Sequence, residues 1–104
     1  MCTRLLRKAG HEVVHASNGR DAIDMYVANE PDGVLLDVSM PGLDGLETLQ
    51  AIRLIDPNAR VAMLTSYSER VMVVKAISLG ARDYITKPFQ RDRLLEAVER
   101  LVAP

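Results

Sequence analysis

Asp37, Thr65 and Lys87 are chemically able side chains that each close a short apolar run: Leu35-Leu36, Met63-Leu64 and Ile85-Thr86. Such runs read as strands of a buried sheet, so a carboxylate, a hydroxyl and an ammonium stand at strand ends. If the strands are parallel, all three groups share one rim. There an ammonium can offset the charge of an anion meeting the carboxylate, and the hydroxyl can hydrogen-bond it. A second pattern is His11-Glu12-Val13-Val14-His15, which fits the zinc-protease string H-E-x-x-H. That string works on a helix, where both imidazoles lie about one turn apart on one face. Here Gly10 precedes it and two β-branched valines fill its centre, so the run reads as a strand. Four strand steps of ~3.3 Å separate the histidines by ~13 Å, too far for both to reach one ion at ~2.0–2.1 Å. They read as two strand-end histidines near the surface.

The elements that must hold these residues follow from hydrophobic rhythm and breakers. Residues 1–9 read as the last turns of a helix stopped by Gly10, and 12–15 as a short strand. Ser17-Asn18-Gly19 turns the chain and caps a helix over 20–29. A strand over 33–36 delivers Asp37, Pro41-Gly42 breaks the chain, and Asp44 caps a helix over 45–55. The turn Asp56-Pro57-Asn58 leads into a strand over 60–64, a helix over 69–79 and a strand over 83–86. The last helix spans 91–102, with Leu94, Leu95, Val98, Leu101 and Val102 in one apolar stripe. Strands alternating with helices predict an α/β, doubly wound parallel sheet covered on both faces. Ligand chemistry in such sheets sits beyond the carboxyl ends of the strands, where Asp37, Thr65 and Lys87 fall.

Composition narrows the function classes. The 104 residues predict one domain, 1–104, and the balance of 13 Lys and Arg against 14 Asp and Glu offers no footprint for nucleic acid or an anionic membrane. No apolar run approaches the ~18 residues of a membrane span, and the N-terminus is not a signal peptide. Cys2 is the single cysteine, so no internal disulfide or zinc ribbon can form, which fits a cytoplasmic setting.

The segment VLLDVSMPGLDGLE at 34–47 resembles the phosphoacceptor segment of response-regulator receiver domains. VAMLTSYSE at 61–69 and ISLGARDYITKPF at 77–89 agree with that family in order and spacing, so the likeness covers essentially the whole chain. The resemblance implies the flavodoxin-like fold, with strand order 2-1-3-4-5. It implies that Asp37 accepts a phosphoryl group from a sensor histidine kinase, that Lys87 pairs with a phosphoryl oxygen and that Thr65 is the switch hydroxyl. It makes Tyr84 the aromatic switch residue and Lys87-Pro88 a cis-peptide step. It also implies a Mg²⁺ ion held by Asp37 and the backbone carbonyl of Ser39. A carboxylate attacking a phosphoryl group needs the charges of both anions offset, and an ammonium and a hard cation suit that task.

Receivers of this kind begin with a strand ending in an acidic pair that holds the ion. This chain lacks both, and residues 1–10 match only the remnant of the first helix. Weakened or absent Mg²⁺ binding is expected, with four strands remaining. Because the missing strand lies mid-sheet, either strand 12–15 closes directly onto 33–36, or another chain fills the gap by strand addition or swapping, as a homodimer or strand-swapped oligomer, or the sequence is truncated and Met1 is not its natural start.

The resemblance thus implies a signalling domain, not an enzyme, that relays phosphorylation to an output domain or partner. The readout face would be formed by 69–79, 82–86 and 91–102. The alternative is a degenerate receiver, a phosphorylation-independent interaction module lacking its metal pair. An aspartyl phosphatase would want a second acid at position 39, which is serine, and no flavodoxin-type phosphate loop is present.

Overall fold

A computed structural model describes residues 2–8, 11–16, 18–38, 44–66 and 71–103. Their order is β1 (Cys2–Lys8), β2 (His11–Ala16), α1 (Gly19–Asn29), β3 (Gly33–Asp37), α2 (Gly45–Ile55), β4 (Val61–Thr65), α3 (Val71–Ser78), β5 (Asp83–Thr86) and α4 (Arg91–Val102). Strands β2 to β5 are parallel neighbours in chain order, the expected α/β sheet. The described residues show direct pairing of the first two parallel strands. β2 pairs with β3 from Val13↔Gly33 to Ala16↔Leu36.

The first segment corrects the sequence reading. The helix expected over 1–9 is instead the strand β1, paired antiparallel with β2 from Cys2↔Ala16 to Lys8↔His11. The four parallel strands expected are therefore present, and among the described residues β1 adds an antiparallel fifth at the edge. The physical reason is competition between local and tertiary structure. So short a helix is marginal alone, whereas the outer edge of β2 offers a row of backbone donors and acceptors. The predicted stop at Gly10 lies outside the described residues.

Alternation along the strands builds two apolar layers. Val14, Ala16, Val34, Leu36 and Met63 pack with Ala22 and Tyr26 of α1, Leu49 and Ile52 of α2, and Ala76 of α3. Val13, Leu35, Ala62, Leu64 and Ile85 pack with Ala97, Val98 and Leu101 of α4. β4 is buried along its whole length, as a central parallel strand must be.

The caps fix where the helices start. The Asn18 side chain accepts a hydrogen bond from the Asp21 N–H at 2.8 Å. Asp44 and Glu47 form a capping box in which the Glu47 N–H donates to Asp44 Oδ1 at 2.8 Å. Gly45 follows that cap because the end of β3 lies against it. A Cβ there would stand 2.8 Å from the Val38 Cα, and the Gly45 N–H donates to the Val38 carbonyl at 2.9 Å. The same backbone carries Asp37, so the start of α2 and the rim are one rigid piece.

Candidate functional site

Asp37 is the last residue of β3, and Lys87 follows the last residue of β5. The register Asp37↔Leu64 and Leu64↔Ile85 sets all three residues on one sheet face, and Lys87 lies two positions past Ile85. The Lys87 Nζ reaches the Asp37 Oδ1 at 2.6 Å. The Lys87 N–H donates to the Thr65 carbonyl at 2.6 Å, and the Lys87–Pro88 peptide is cis.

A third group joins them that sequence reasoning did not place there. His15 is opposite Leu35, so it shares the face of Asp37, two positions further along β3. Its Nε2 lies 3.2 Å from the Asp37 Oδ2. An ionised carboxylate only accepts, so Nε2 carries the proton and donates. The signal was available: pairing 12–15 with 33–36 in parallel puts His15 and Asp37 on one face by period-2 alternation. The strand reading of HEVVH holds, since β2 spans His11–Ala16.

Asp37 sits in a half-buried notch. Burial pushes its carboxyl up, but hydrogen bonds from His15 and Lys87, with the Lys87 charge, outweigh that effect and hold it below the usual carboxylate range. The Asp37 carboxyl is thus ionised at neutral pH. Each of its oxygens still has a lone pair, because a carboxylate offers about four acceptor positions.

Thr65 closes β4 beside this pair and is fully buried, yet its hydroxyl has no hydrogen-bond partner among the described residues. The structure does not bond it to Asp37 or Lys87. Tyr84 is 37% exposed on β5, opposite Met63. Ser39, the expected source of a metal-ligating carbonyl, lies outside the described residues.

The described residues around Asp37 do not fit the magnesium ion that the resemblance implies. Mg²⁺ demands near-octahedral hard oxygen ligands, usually carboxylates, carbonyls and water. Here the two Asp37 oxygens face an ammonium and an imidazole N–H. Both groups are donors and would oppose a cation at that place. The chemistry of the site is that of its own donors.

Known proteins resemble this chain in sequence and in fold. The sequence model for the response regulator receiver domain matches residues 1–99. The chain is 39% identical over 102 residues to the chemotaxis protein CheY of Thermotoga maritima, covering 97% of this chain and 85% of that protein. It is 37% identical over 100 residues to sporulation initiation phosphotransferase F of Bacillus subtilis, covering 96% and 81%. The crystal structure of the receiver domain of NtrX from Brucella abortus superimposes with a TM-score of 0.79 at 35% identity, covering 84% of this chain and 74% of that one. Against a longer NtrX chain the match spans only 20% of its length.

Proposed function

The chain belongs to the response regulator receiver family, and from that premise we propose that Asp37 is its phosphoacceptor, charged by the phosphohistidine of a sensor histidine kinase. The observation that carries this reading is the 2.6 Å ion pair between Lys87 and Asp37 at the rim of the sheet. An Asp37 oxygen attacks phosphorus, the P–N bond breaks, and its electron pair leaves on the donor imidazole. Lys87, already on one carboxylate oxygen, offsets the anionic charge that gathers there.

Phosphorylation replaces a carboxylate with a group bearing more charge and more acceptor oxygens. The buried, unpartnered Thr65 hydroxyl at the end of the next strand is then a donor that can be drawn in, and Tyr84 on the adjoining strand follows it. The readout face lies on α3, β5 and α4. Val71, Val74 and Ile77 form an exposed apolar stripe at helical spacing on α3, and Tyr84 is exposed on β5. That stripe suits an output domain, a partner protein or a second copy of the chain. Direct closure of β2 on β3 leaves no slot for a swapped strand, so a homodimer would use this face.

The domain spans 1–104 and works in the cytoplasm as a switch. Among the described residues no helix is long and apolar enough to cross a membrane. A second reading, a phosphorylation-independent interaction module, is favoured by one observation: both Asp37 oxygens are already engaged. Incubation with a phosphorylated kinase domain, followed by intact-mass analysis, separates the two. One added phosphoryl group supports the acceptor reading. An unchanged mass across the reaction supports the interaction module.

A further inference from the structure

Asp37 Oδ2, an oxygen that a bound cation would need as a ligand, faces the His15 imidazole at 3.2 Å. We propose that His15 stands in for that cation, so that Asp37 accepts a phosphoryl group without a metal ion, with the His15 Nε2–H and the Lys87 ammonium holding the phosphoryl oxygens. This rests on the reading of Asp37 as acceptor and adds to it how the negative charge is offset.

Three observations carry it. The His15 Nε2 is 3.2 Å from Asp37 Oδ2 and the Lys87 Nζ is 2.6 Å from Oδ1, so the carboxylate is held between two donors on opposite oxygens. His15 is placed by the sheet rather than by a loop. It lies within β2, whose pairing with β3 runs from Val13 to Ala16, and its side chain is 30% exposed, open to an incoming donor molecule. Thirdly, a fully buried Thr65 hydroxyl without a partner closes the neighbouring strand end.

The longer of the two bonds marks Oδ2 as the freer nucleophile. With phosphoramidate as donor, an Oδ2 lone pair attacks phosphorus and the P–N bond breaks. Its electron pair leaves with nitrogen as ammonia, and an aspartyl phosphate remains. Once Oδ2 bridges carbon and phosphorus it is a poor acceptor. The Nε2–H then turns to a phosphoryl oxygen, which is anionic and bonds it more strongly. The donor thus meets the phosphoryl oxygen as the O–P bond forms, so it favours the transition state over the ground state.

The test measures phosphoramidate labelling of the purified chain by intact mass, in EDTA and in excess Mg²⁺, for the wild type and for His15→Ala, His15→Gln and Asp37→Asn. The wild type is expected to label at similar rates in both buffers, and Asp37→Asn not at all. His15→Ala is expected to slow labelling in EDTA by at least about ten-fold, below the ~100-fold typical of a fully enclosed oxyanion donor. His15→Gln, which keeps an N–H of similar reach, is expected to recover part of that rate. The His15 ring nitrogen resonances should also move on labelling, a change that a purely structural histidine would not give. Circular dichroism checks that each variant is folded. Labelling that EDTA abolishes and Mg²⁺ restores overturns the proposal and leaves Asp37 as acceptor intact. So does an unslowed His15→Ala in EDTA. No labelling of the wild type in either buffer overturns the acceptor reading itself, and this proposal with it.

Discussion

The imidazole of His15 lies 3.2 Å from the carboxylate of Asp37, although the two residues are 22 apart in sequence and belong to different strands. The contact exists because β2 lies directly against β3, with His15 opposite Leu35. In a sheet with another strand between them the two side chains would stand about two inter-strand spacings apart, near 10 Å. One topological choice thus sets the electrostatics of the rim.

Lys87→Ala separates chemistry from stability. Lys87 is about half exposed, so its ion pair with Asp37 is discounted by solvent, and the substitution should cost no more than ~1 kcal/mol in a urea melt. Labelling of Asp37 by phosphoramidate should fall ~100-fold, because the group offsetting the phosphoryl charge is gone. A large stability loss with labelling unchanged would reverse those roles.

Gly45→Ala should act on stability first. The new methyl would stand 2.8 Å from the Val38 Cα, and backbone cannot yield as a side-chain end can. The start of α2 has to move off β3, at ~1–3 kcal/mol, the usual cost of overpacking. The urea midpoint should fall, and because Asp37 precedes Val38 the labelling rate should fall too.

Tyr26 supplies a pH dependence. Burial, then its hydrogen bond to Asp56 at 2.7 Å and the charge of that carboxylate, raise the phenol above its ordinary value. The Tyr26 hydroxyl, followed by the Asn58 N–H, holds the Asp56 carboxyl below the usual range. A folded-state value above the unfolded one means that the protonated phenol stabilises the fold. This contribution is fully present below about pH 10, the unfolded value, and is lost as pH rises beyond it. Denaturation midpoints of the wild type should decline above pH 10, and Tyr26→Phe should flatten that part of the curve.

The strand character of Cys2–Lys8 is open to direct measurement. Backbone chemical shifts over 2–8 should be strand-like, with cross-strand contacts between Thr3 and His15 and between Arg7 and Glu12. Helical shifts over the same residues would restore the sequence reading.

Much of this rim was legible in the sequence because strand ends are punctuated. Asp37 and Lys87 each follow an apolar run, and parallel strands carry such ends to one edge. The caps at Asn18 and Asp44 were legible for a similar reason, since capping is a local interaction. The fate of residues 2–8 was not. Their apolar spacing suits a helix, and only the open edge of β2, a tertiary feature, makes them a strand. His15 was missed by the same route. As an isolated strand-end histidine it carries no signal, and its partner emerges only once β2 is laid beside β3.

The most direct test of the central claim is to map the modified residue after phosphoramidate treatment. Borohydride reduces an aspartyl phosphate to homoserine, and peptide mass analysis then locates it. Homoserine at position 37, absent from Asp37→Asn, is the predicted result. Homoserine at another acidic position, or modification that persists in Asp37→Asn, would contradict the account.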